Sequence, residues 1–245
     1  MQKIKNHIEN QLSKIKNLKL STPTAIIIGS IIISISIIIS QDSSKTNNVS
    51  AMAFLKPFGG KSLSTDKYID GKNDKIFLVE YSDTECPYCI QFSSTFEQAR
   101  KDYGDKIGII YRNYAFHTNA PKEAEAINCA GDIGGKNSYF AYIKALFDYK
   151  LNNQVVTLPL TGKEDLAKKI GLDLTKFGEC LSSGKFTQEI SSGIDDGATA
   201  EVTGTPTSFV IIKDGETYRV VSKIDGARPY SYVKQAIDQA LKLLD

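Results

Sequence analysis

The chain has 245 residues, of which 41% are hydrophobic, so it can build a sizeable core without depending on disulfide crosslinks. Thirty basic and 28 acidic side chains leave a formal net charge of +2, which excludes the strongly basic surface that nucleic acid requires. We therefore expect no nucleic-acid partner. Four cysteines are compatible with disulfides or with a metal site, and the choice depends on the compartment in which the chain folds.

The N-terminal region has the pattern of a membrane anchor. No charged residue lies between Lys19 and Asp42, and residues 25–39 contain ten isoleucines. Such a run is long enough to span a bilayer, and the excess of lysines before it predicts that the N-terminus is cytoplasmic. The globular part is therefore expected on the other side of the membrane.

We predict a cytoplasmic segment at 1–20, a transmembrane helix at 21–40, an extracytoplasmic linker at 41–63 and one domain at 64–245. The protein is then a single-pass protein of the cell membrane with its domain in the periplasm, and the helix is its contact with the lipid bilayer. A cleaved signal peptide is the alternative, because residues 51–53 have the small-x-small form that signal peptidase accepts. That site lies too far beyond the apolar run for the usual cleavage geometry.

The domain begins with a strand–helix–strand pattern. Residues 75–82 are mostly apolar and β-favouring, as in a buried central strand, although Glu80 interrupts the run. Apolar residues then recur at helical spacing over 92–103, and residues 107–114 have the pattern of a second strand.

The rest of the domain is helical before strand patterns return. From about 119 to 200 the patterns are helical and predict an inserted subdomain. Two strands at 206–213 and 218–224, joined by a tight hairpin, precede a helical face at 233–244. This order predicts an α/β, thioredoxin-like fold with an inserted helical subdomain, preceded by the N-terminal transmembrane helix.

A Cys-x-x-Cys motif, Cys86-Pro87-Tyr88-Cys89, lies where the first strand gives way to the helix. Cys86 is expected at the N-cap, where unpaired backbone N–H groups stabilise a thiolate, and Pro87 sacrifices no hydrogen bond in the first turn. We predict that Cys86 is the nucleophile and that Cys89 resolves the mixed disulfide. A permanent disulfide and a zinc site are the alternatives. No metal is expected, because the other cysteines and the histidines show no paired ligand spacing.

Three acidic residues lie close to the motif in the sequence. Glu80 interrupts an apolar strand, which predicts a buried carboxyl that exchanges protons with Cys89, because an unused charge there is costly. An edge position from which the Glu80 side chain reaches water is the alternative. Asp83 and Glu85 are expected to be solvated.

The chain from about 64 to 245 resembles the DsbA-like thiol-disulfide oxidoreductases, particularly their membrane-anchored bacterial branch. The matching motifs cover the whole globular part in order and spacing. The pairing of Cys-Pro-x-Cys with Gly-Thr-Pro is specific, whereas Cys-x-x-Cys alone is not. The matching residues are Val79-Glu80-Tyr81-Ser82-Asp83, Cys86-Pro87-Tyr88-Cys89, Tyr111-Arg112-Asn113-Tyr114, Cys129-Ala130, Cys180-Leu181 and Val202-Thr203-Gly204-Thr205-Pro206-Thr207.

The resemblance assigns roles that the local sequence leaves open. By itself, the strand entrance at Pro206 favours an ordinary trans turn, although a proline there can be cis. The resemblance implies that Pro206 is a cis-proline packed against the redox pair and that Thr205 helps to bind the substrate strand. It also implies that Glu80 is the buried acid of the strand and that Cys129 and Cys180 form a structural disulfide.

One residue of the motif departs from the strong oxidases of the family. They carry histidine between the proline and the second cysteine, where this chain has Tyr88 beside Pro87. We expect both residues to support the active site. A neutral phenol gives the thiolate no electrostatic help, which predicts a less oxidising pair than that of the strongest members.

The resemblance implies an enzyme that promotes disulfide formation by dithiol–disulfide exchange at the Cys-x-x-Cys motif. The expected partners are cysteine-containing exported proteins as substrates and a quinone-linked membrane protein as reoxidase. We expect a monomer without a cofactor. A reductase or isomerase that uses the same site is one alternative, and a non-enzymatic, membrane-tethered binding module with structural disulfides is another.

Overall fold

The computed structural model describes residues 55–71, 74–159 and 161–244. The predicted cytoplasmic segment, transmembrane helix and most of the predicted linker lie outside these residues. Within them, no helix combines the length and the apolar character needed to cross a membrane.

Within the described residues, a four-stranded mixed sheet forms the centre of the domain. Its strands are β1 (Ile76–Ser82), β2 (Gly108–Asn113), β3 (Thr207–Asp214) and β4 (Thr217–Asp225), in the spatial order β2-β1-β3-β4. Strand β1 runs parallel to β2 and antiparallel to β3, and β4 pairs antiparallel with β3. All residues of β1 are buried, as expected for a central strand that is covered on both faces.

Helices cover the sheet and form the insertion between β2 and β3. The helix that joins β1 to β2 packs against the C-terminal helix, and the C-terminal helix also contacts β1, β3 and β4. The predicted thioredoxin-like α/β fold with a helical insertion is therefore confirmed. The helices are α1 (Pro87–Tyr103), α2 (Ala120–Asn153), α3 (Gly162–Lys169), α4 (Leu174–Ser183), α5 (Thr187–Thr199) and α6 (Tyr230–Leu244).

The long helix α2 is bent at Gly135. The backbone angles of this residue, φ 70° and ψ −164°, are outside the helical region and in one that favours glycine. The bend divides α2 into a first half that carries Cys129 and a second half that carries Lys150. A 2.6 Å ion pair between Glu123 in the first half and Lys150 in the second joins the two halves.

The first described residues, 55–66, form a strap along the domain. The backbone of Lys56 accepts a hydrogen bond of 2.9 Å from Val220 of β4, and the Phe58 N–H donates one of 2.8 Å to Tyr218. The predicted linker extended to residue 63, but the structure places the strap on the domain from residue 55 onwards. The folded part therefore begins earlier than its predicted boundary at 64.

A buried ion network fastens the strap to the sheet and to the insertion. The Arg112 guanidinium of β2 lies 2.7 Å from the Asp66 carboxylate of the strap and 3.1 Å from Asp196 of α5. It also donates a 3.0 Å hydrogen bond to the backbone oxygen of Lys61. Since Arg112 is only 4% exposed, its charge depends on these partners.

Cys129 of α2 and Cys180 of α4 form a disulfide within the insertion. Both sulfurs lie in a buried environment, where the surrounding helices pack against each other. The bridge therefore ties the first half of α2 to a helix that follows it by 51 positions in the sequence.

We expect the double substitution Cys129→Ala/Cys180→Ala to lower the free energy of unfolding by about 4 kcal/mol, because the bridge restricts the unfolded chain over a long loop. Urea unfolding under oxidising conditions measures the loss. The matched control is Cys86→Ala/Cys89→Ala, in which the cysteines close only a very short loop and whose loss should be smaller. Equal losses in the two double variants would contradict this expectation.

Candidate active site

Cys86 lies at the N-cap of α1, four residues after the end of β1 at Ser82. Its backbone is extended, with φ −73° and ψ 121°, and Pro87 is the first residue of the helix. The Cys86 side chain makes no capping hydrogen bond, but the backbone N–H groups of Cys89 and Tyr88 lie close enough to its sulfur to help stabilise a thiolate. The thiol therefore occupies the positive end of the helix dipole.

These contacts lower the pKa of Cys86 to about 5. The largest contribution is the hydrogen bond from the Cys89 thiol, which outweighs the opposing effect of burial. The Thr205 side chain and the backbone N–H groups of Cys89 and Tyr88 stabilise the thiolate further. At neutral pH, Cys86 is therefore mainly a thiolate.

The Cys89 thiol has the opposite character. It is fully buried, and burial raises its pKa well above the ordinary value for a thiol, with further contributions from Cys86 and Glu80. The backbone N–H of Asp83 lies 3.4 Å from the Cys89 sulfur. The pair thus combines a stabilised thiolate at the N-terminal end of α1 with a neutral, buried thiol one helical turn further along the chain.

The loop before β3 brings Thr205 and Pro206 to Cys86. The Thr205–Pro206 peptide bond is cis, as the family resemblance implies and unlike the trans turn that the local sequence favours. The Thr205 carbonyl oxygen lies 3.3 Å from the Cys86 sulfur and accepts a hydrogen bond from Cys86 when this thiol is protonated. Tyr88, next to the buried cysteine, has 64% of its surface exposed, so its ring is free to meet a bound molecule.

Glu80 lies within the sheet, between β2 and β3, and not at an edge. Burial raises its pKa to about 8; the nearby Ser82 side chain opposes this increase, and the nearby charge of Glu97 adds to it. A cavity of about 230 Å³ between α1 and α2 is lined by Glu80, Glu97 and Tyr111. The buried carboxyl therefore borders a space that is large enough for water.

Asp83 and Glu85 are buried, so the expectation that they are solvated is wrong. Their carboxylates are satisfied by N–H and O–H groups of the insertion, which replace water as hydrogen-bond donors. Burial raises the pKa of Glu85, but the hydrogen bonds outweigh it and hold the pKa below its usual value. The donors to Asp83 are the backbone N–H groups of Glu85, Phe116 and His117, and the donors to Glu85 are Asn119 and Thr157.

Sequence reasoning also missed Tyr111 and Lys150. Tyr111 lies opposite Glu80 in the parallel register of β1 and β2, and burial raises its pKa well above the usual value. Lys150 is fully buried and forms a 2.6 Å ion pair with Glu123. The strand register could have indicated Tyr111, but no local pattern distinguishes Lys150 from an exposed lysine.

The structure brings together Glu80, Cys86, Cys89, Thr205 and Pro206 at one end of the sheet, whereas the Cys129–Cys180 disulfide belongs to the insertion. Among residues 55–71, 74–159 and 161–244, there is no group of three or more side chains that could hold a metal ion. The chemistry that this arrangement supports is therefore thiol–disulfide exchange at a pair of unlike thiols.

Comparison with known proteins agrees with this geometry. The family model described as thioredoxin matches residues 66–239. The chain therefore belongs to the thioredoxin family. A similar solved structure is the thiol-disulfide exchange protein alpha-DsbA2 from Wolbachia pipientis, with a TM-score of 0.60 and 19% identity over 82% of this chain and 98% of that chain. Another is oxidised BdbD from Bacillus subtilis, with a TM-score of 0.59 and 22% identity over 78% of this chain and 100% of that chain.

The curated relatives are longer proteins. A Na(+)/H(+) antiporter NhaA 1 from Mycobacterium sp. (strain KMS) is 23% identical over 137 residues, which are 55% of this chain and 22% of the relative. The NhaA 1 antiporter of Salinispora arenicola is 31% identical over 140 residues, again 55% of this chain and 20% of the relative. The chain thus matches about a fifth of the length of these relatives.

In the reduced protein we expect Cys86 to titrate near pH 5, as measured by the ultraviolet absorbance of the thiolate. Cys89→Ala removes the largest stabilising contact and should raise the midpoint, but not above about 8.5, because the helix N–H groups remain. Cys86→Ala is the control and should abolish the transition. A Cys89→Ala midpoint at or below that of the wild type would show that the hydrogen bond between the thiols is unimportant.

Glu80→Gln should stabilise the reduced protein in a pH-dependent manner. The folded-state pKa of Glu80, about 8, lies above the unfolded value of about 4.3, so the wild type loses stability as pH rises through this window. The advantage of Glu80→Gln should therefore grow between about pH 4.5 and pH 8 and then become constant. Urea unfolding at several pH values measures it, with the exposed Glu216→Gln in the turn between β3 and β4 as the control. If the difference in unfolding free energy between Glu80→Gln and the wild type did not change with pH, the raised pKa of Glu80 would be contradicted.

Proposed function

We propose that this DsbA-like thiol-disulfide oxidoreductase introduces disulfides into exported proteins. The observation that carries the proposal is the asymmetry of the pair, in which the pKa of Cys86 is lowered to about 5 while burial raises that of Cys89. A stabilised thiolate favours the reduced form of the pair. The oxidised Cys86–Cys89 disulfide is then an oxidant that readily accepts electrons from substrate thiols.

The reaction begins with the oxidised pair. A substrate thiolate attacks the Cys86 sulfur, so that a mixed disulfide forms and the Cys86–Cys89 bond breaks. The second substrate thiolate then attacks the substrate sulfur of the mixed disulfide, and Cys86 leaves as a thiolate. The substrate loses two electrons to form its disulfide, and the enzyme gains two electrons as a dithiol. The low pKa of Cys86 makes it a good leaving group in the second step.

Glu80 is the proposed proton relay for Cys89. When the Cys86–Cys89 bond breaks, the buried Cys89 sulfur needs a proton, since its thiolate is unfavourable there. Glu80 holds a proton at neutral pH because burial raises its pKa to about 8. The cavity of about 230 Å³ beside Glu80 supports water that returns a proton from solvent.

Thr205 and Pro206 form the proposed substrate platform. Their loop packs against the nucleophile, with the Thr205 carbonyl 3.3 Å from the Cys86 sulfur, so a peptide bound along this backbone would bring its cysteine to Cys86. The exposed Tyr88 ring offers an apolar contact beside the same sulfur. Pro87 supports the site by starting α1 directly after the nucleophile.

The membrane setting is part of the proposal. Residues 21–40 anchor the chain in the cell membrane as a single-pass protein, and the domain works outside the cytoplasm, in the periplasm, as a monomer without a cofactor. The Cys129–Cys180 disulfide supports this location, because structural disulfides are typical of oxidising compartments. A quinone-linked membrane protein reoxidises the pair after each turnover.

The reverse direction, as a reductase or isomerase, is the second candidate. Tyr88 favours it, because an uncharged phenol beside Cys86 gives less stabilisation to the thiolate than a histidinium does. The two directions differ in the reduction potential of the pair. A value near that of thioredoxin, about −270 mV, favours reduction, and a value closer to about −120 mV favours oxidation.

The oxidised wild-type protein should oxidise a reduced model substrate with a cysteine pair, and Cys86→Ala should lower this activity to background, because no disulfide remains for exchange. The matched control is Cys129→Ala/Cys180→Ala, which removes the other cysteine pair and should retain the activity below its unfolding temperature. Activity in Cys86→Ala at the wild-type level would contradict the proposal. Equilibration of the pair with glutathione gives the reduction potential that separates the two directions.

A further inference from the structure

The three residues before Cys86 form a buried turn outside regular secondary structure. Asp83, Thr84 and Glu85 are 0%, 1% and 6% exposed, between the end of β1 and the start of α1. We call these three residues the approach turn. The Cys86 backbone N–H donates a 3.2 Å hydrogen bond to the backbone carbonyl oxygen of Asp83. Its further support comes from side chains and loops of the helical insertion.

Lys150, in the second half of α2, contacts the approach turn through its side-chain ammonium. Its ammonium donates hydrogen bonds to the backbone carbonyl oxygens of Thr84 at 2.8 Å and Val156 at 2.7 Å, and to the Glu123 carboxylate at 2.6 Å. These three acceptors match the three N–H donors of an ammonium. The second Glu123 oxygen accepts a 3.3 Å hydrogen bond from the Leu158 N–H. The buried pair therefore joins the approach turn to the loop that follows α2.

A buried ion pair is a poor way to gain stability. Removing two charges from water costs several kcal/mol for each ion, and well-packed apolar side chains often stabilise a fold equally well. Lys150 is 0% exposed and Glu123 is 2% exposed, so this pair bears that cost in full. An apolar pair could not reproduce the hydrogen bonds to the Thr84 and Val156 carbonyls or the one from the Leu158 N–H, and the bond to Thr84 is the one that reaches the approach turn.

We propose that Lys150 is a positioning residue for the redox pair. By binding the Thr84 carbonyl, it holds the approach turn in the arrangement that aligns the first N–H groups of α1 with the Cys86 sulfur. It also supplies a buried positive charge among the carboxylates of Asp83, Glu85 and Glu123. This inference rests on the proposed role of Cys86 as the nucleophile.

Removal of Lys150 should destabilise the Cys86 thiolate for two reasons. Without Lys150, the approach turn loses its donor at Thr84, and the helix N–H groups bind the sulfur less well. The carboxylates of Asp83 and Glu85 also remain near the thiolate without a buried counter-charge, while His117 faces Asp83 from the more exposed side at 3.1 Å. Both changes destabilise the thiolate and make the pair less oxidising.

The test compares Lys150→Met, which keeps an unbranched side chain only one atom shorter and removes its charge, with the wild type. We expect the Cys86 midpoint to rise by about one pH unit, a tenfold smaller thiolate fraction at low pH, and the reduction potential to become more negative. Arg112→Met is the matched control, because it removes a buried cation that pairs with Asp66 and Asp196. It should lower stability without moving the Cys86 midpoint.

A Lys150→Met protein that is less stable but titrates like the wild type would overturn the inference, since a purely structural role predicts that result. If Lys150→Met cannot be purified folded, Lys150→Met/Glu123→Leu removes both charges and should show the same rise, because Thr84 still lacks its donor. A wild-type midpoint near 8.5 would overturn both the inference and the proposed nucleophile. A wild-type midpoint near 5 that is unchanged in the variant would overturn the inference alone.

Discussion

The stabilisation of the Cys86 thiolate at the start of α1, by the Cys89 thiol and the first N–H groups of the helix, is the interaction on which the site depends. A helix end offers a negative charge only a small number of donors, and their effect falls off within one turn. The sulfur must therefore be held at a defined place. The central strand β1 and the approach turn deliver Cys86 from one side, and the loop at Thr205 closes the other side at 3.3 Å. The sheet order places these segments next to each other.

Burial separates the behaviour of the two thiols and links their chemistry to stability. The same apolar surroundings that stabilise the sheet penalise charge on Cys89 and on Glu80, so both remain neutral at neutral pH. The negative charge of the reduced pair is then confined to Cys86, where hydrogen bonds stabilise it. A more open core would let both thiols ionise at similar pH. The fold accepts a buried acid in its central strand, and the cavity beside Glu80 keeps that acid in reach of water.

The fold could be predicted because patterns over short stretches of sequence indicate its strands and helices. Part of the site could not be predicted in this way. Apolar, β-favouring runs and helical patterns indicated the strands, the helices and the insertion, and the Cys-x-x-Cys spacing indicated Cys86 and Cys89. The burial of Asp83 and Glu85 was missed, because their hydrogen-bond donors lie about 30 to 70 positions away in the chain. Lys150 was missed for the same reason. Charged residues in a short loop favour water by default, and only tertiary donors reverse that preference.

Hydrogen-bond donors of the insertion hold the approach turn that precedes Cys86, so the insertion contributes to the redox site. Its two loops at 115–119 and 155–158 bind the approach turn, and Lys150 supplies a third attachment from α2. The Lys150–Glu123 ion pair connects that attachment to the half of α2 that the Cys129–Cys180 disulfide ties to α4. Changes in the insertion can therefore reach Cys86 through the approach turn without altering the thioredoxin-like sheet. Within one family fold, such changes offer a way to tune the redox pair while its cysteines and the loop at Pro206 stay the same.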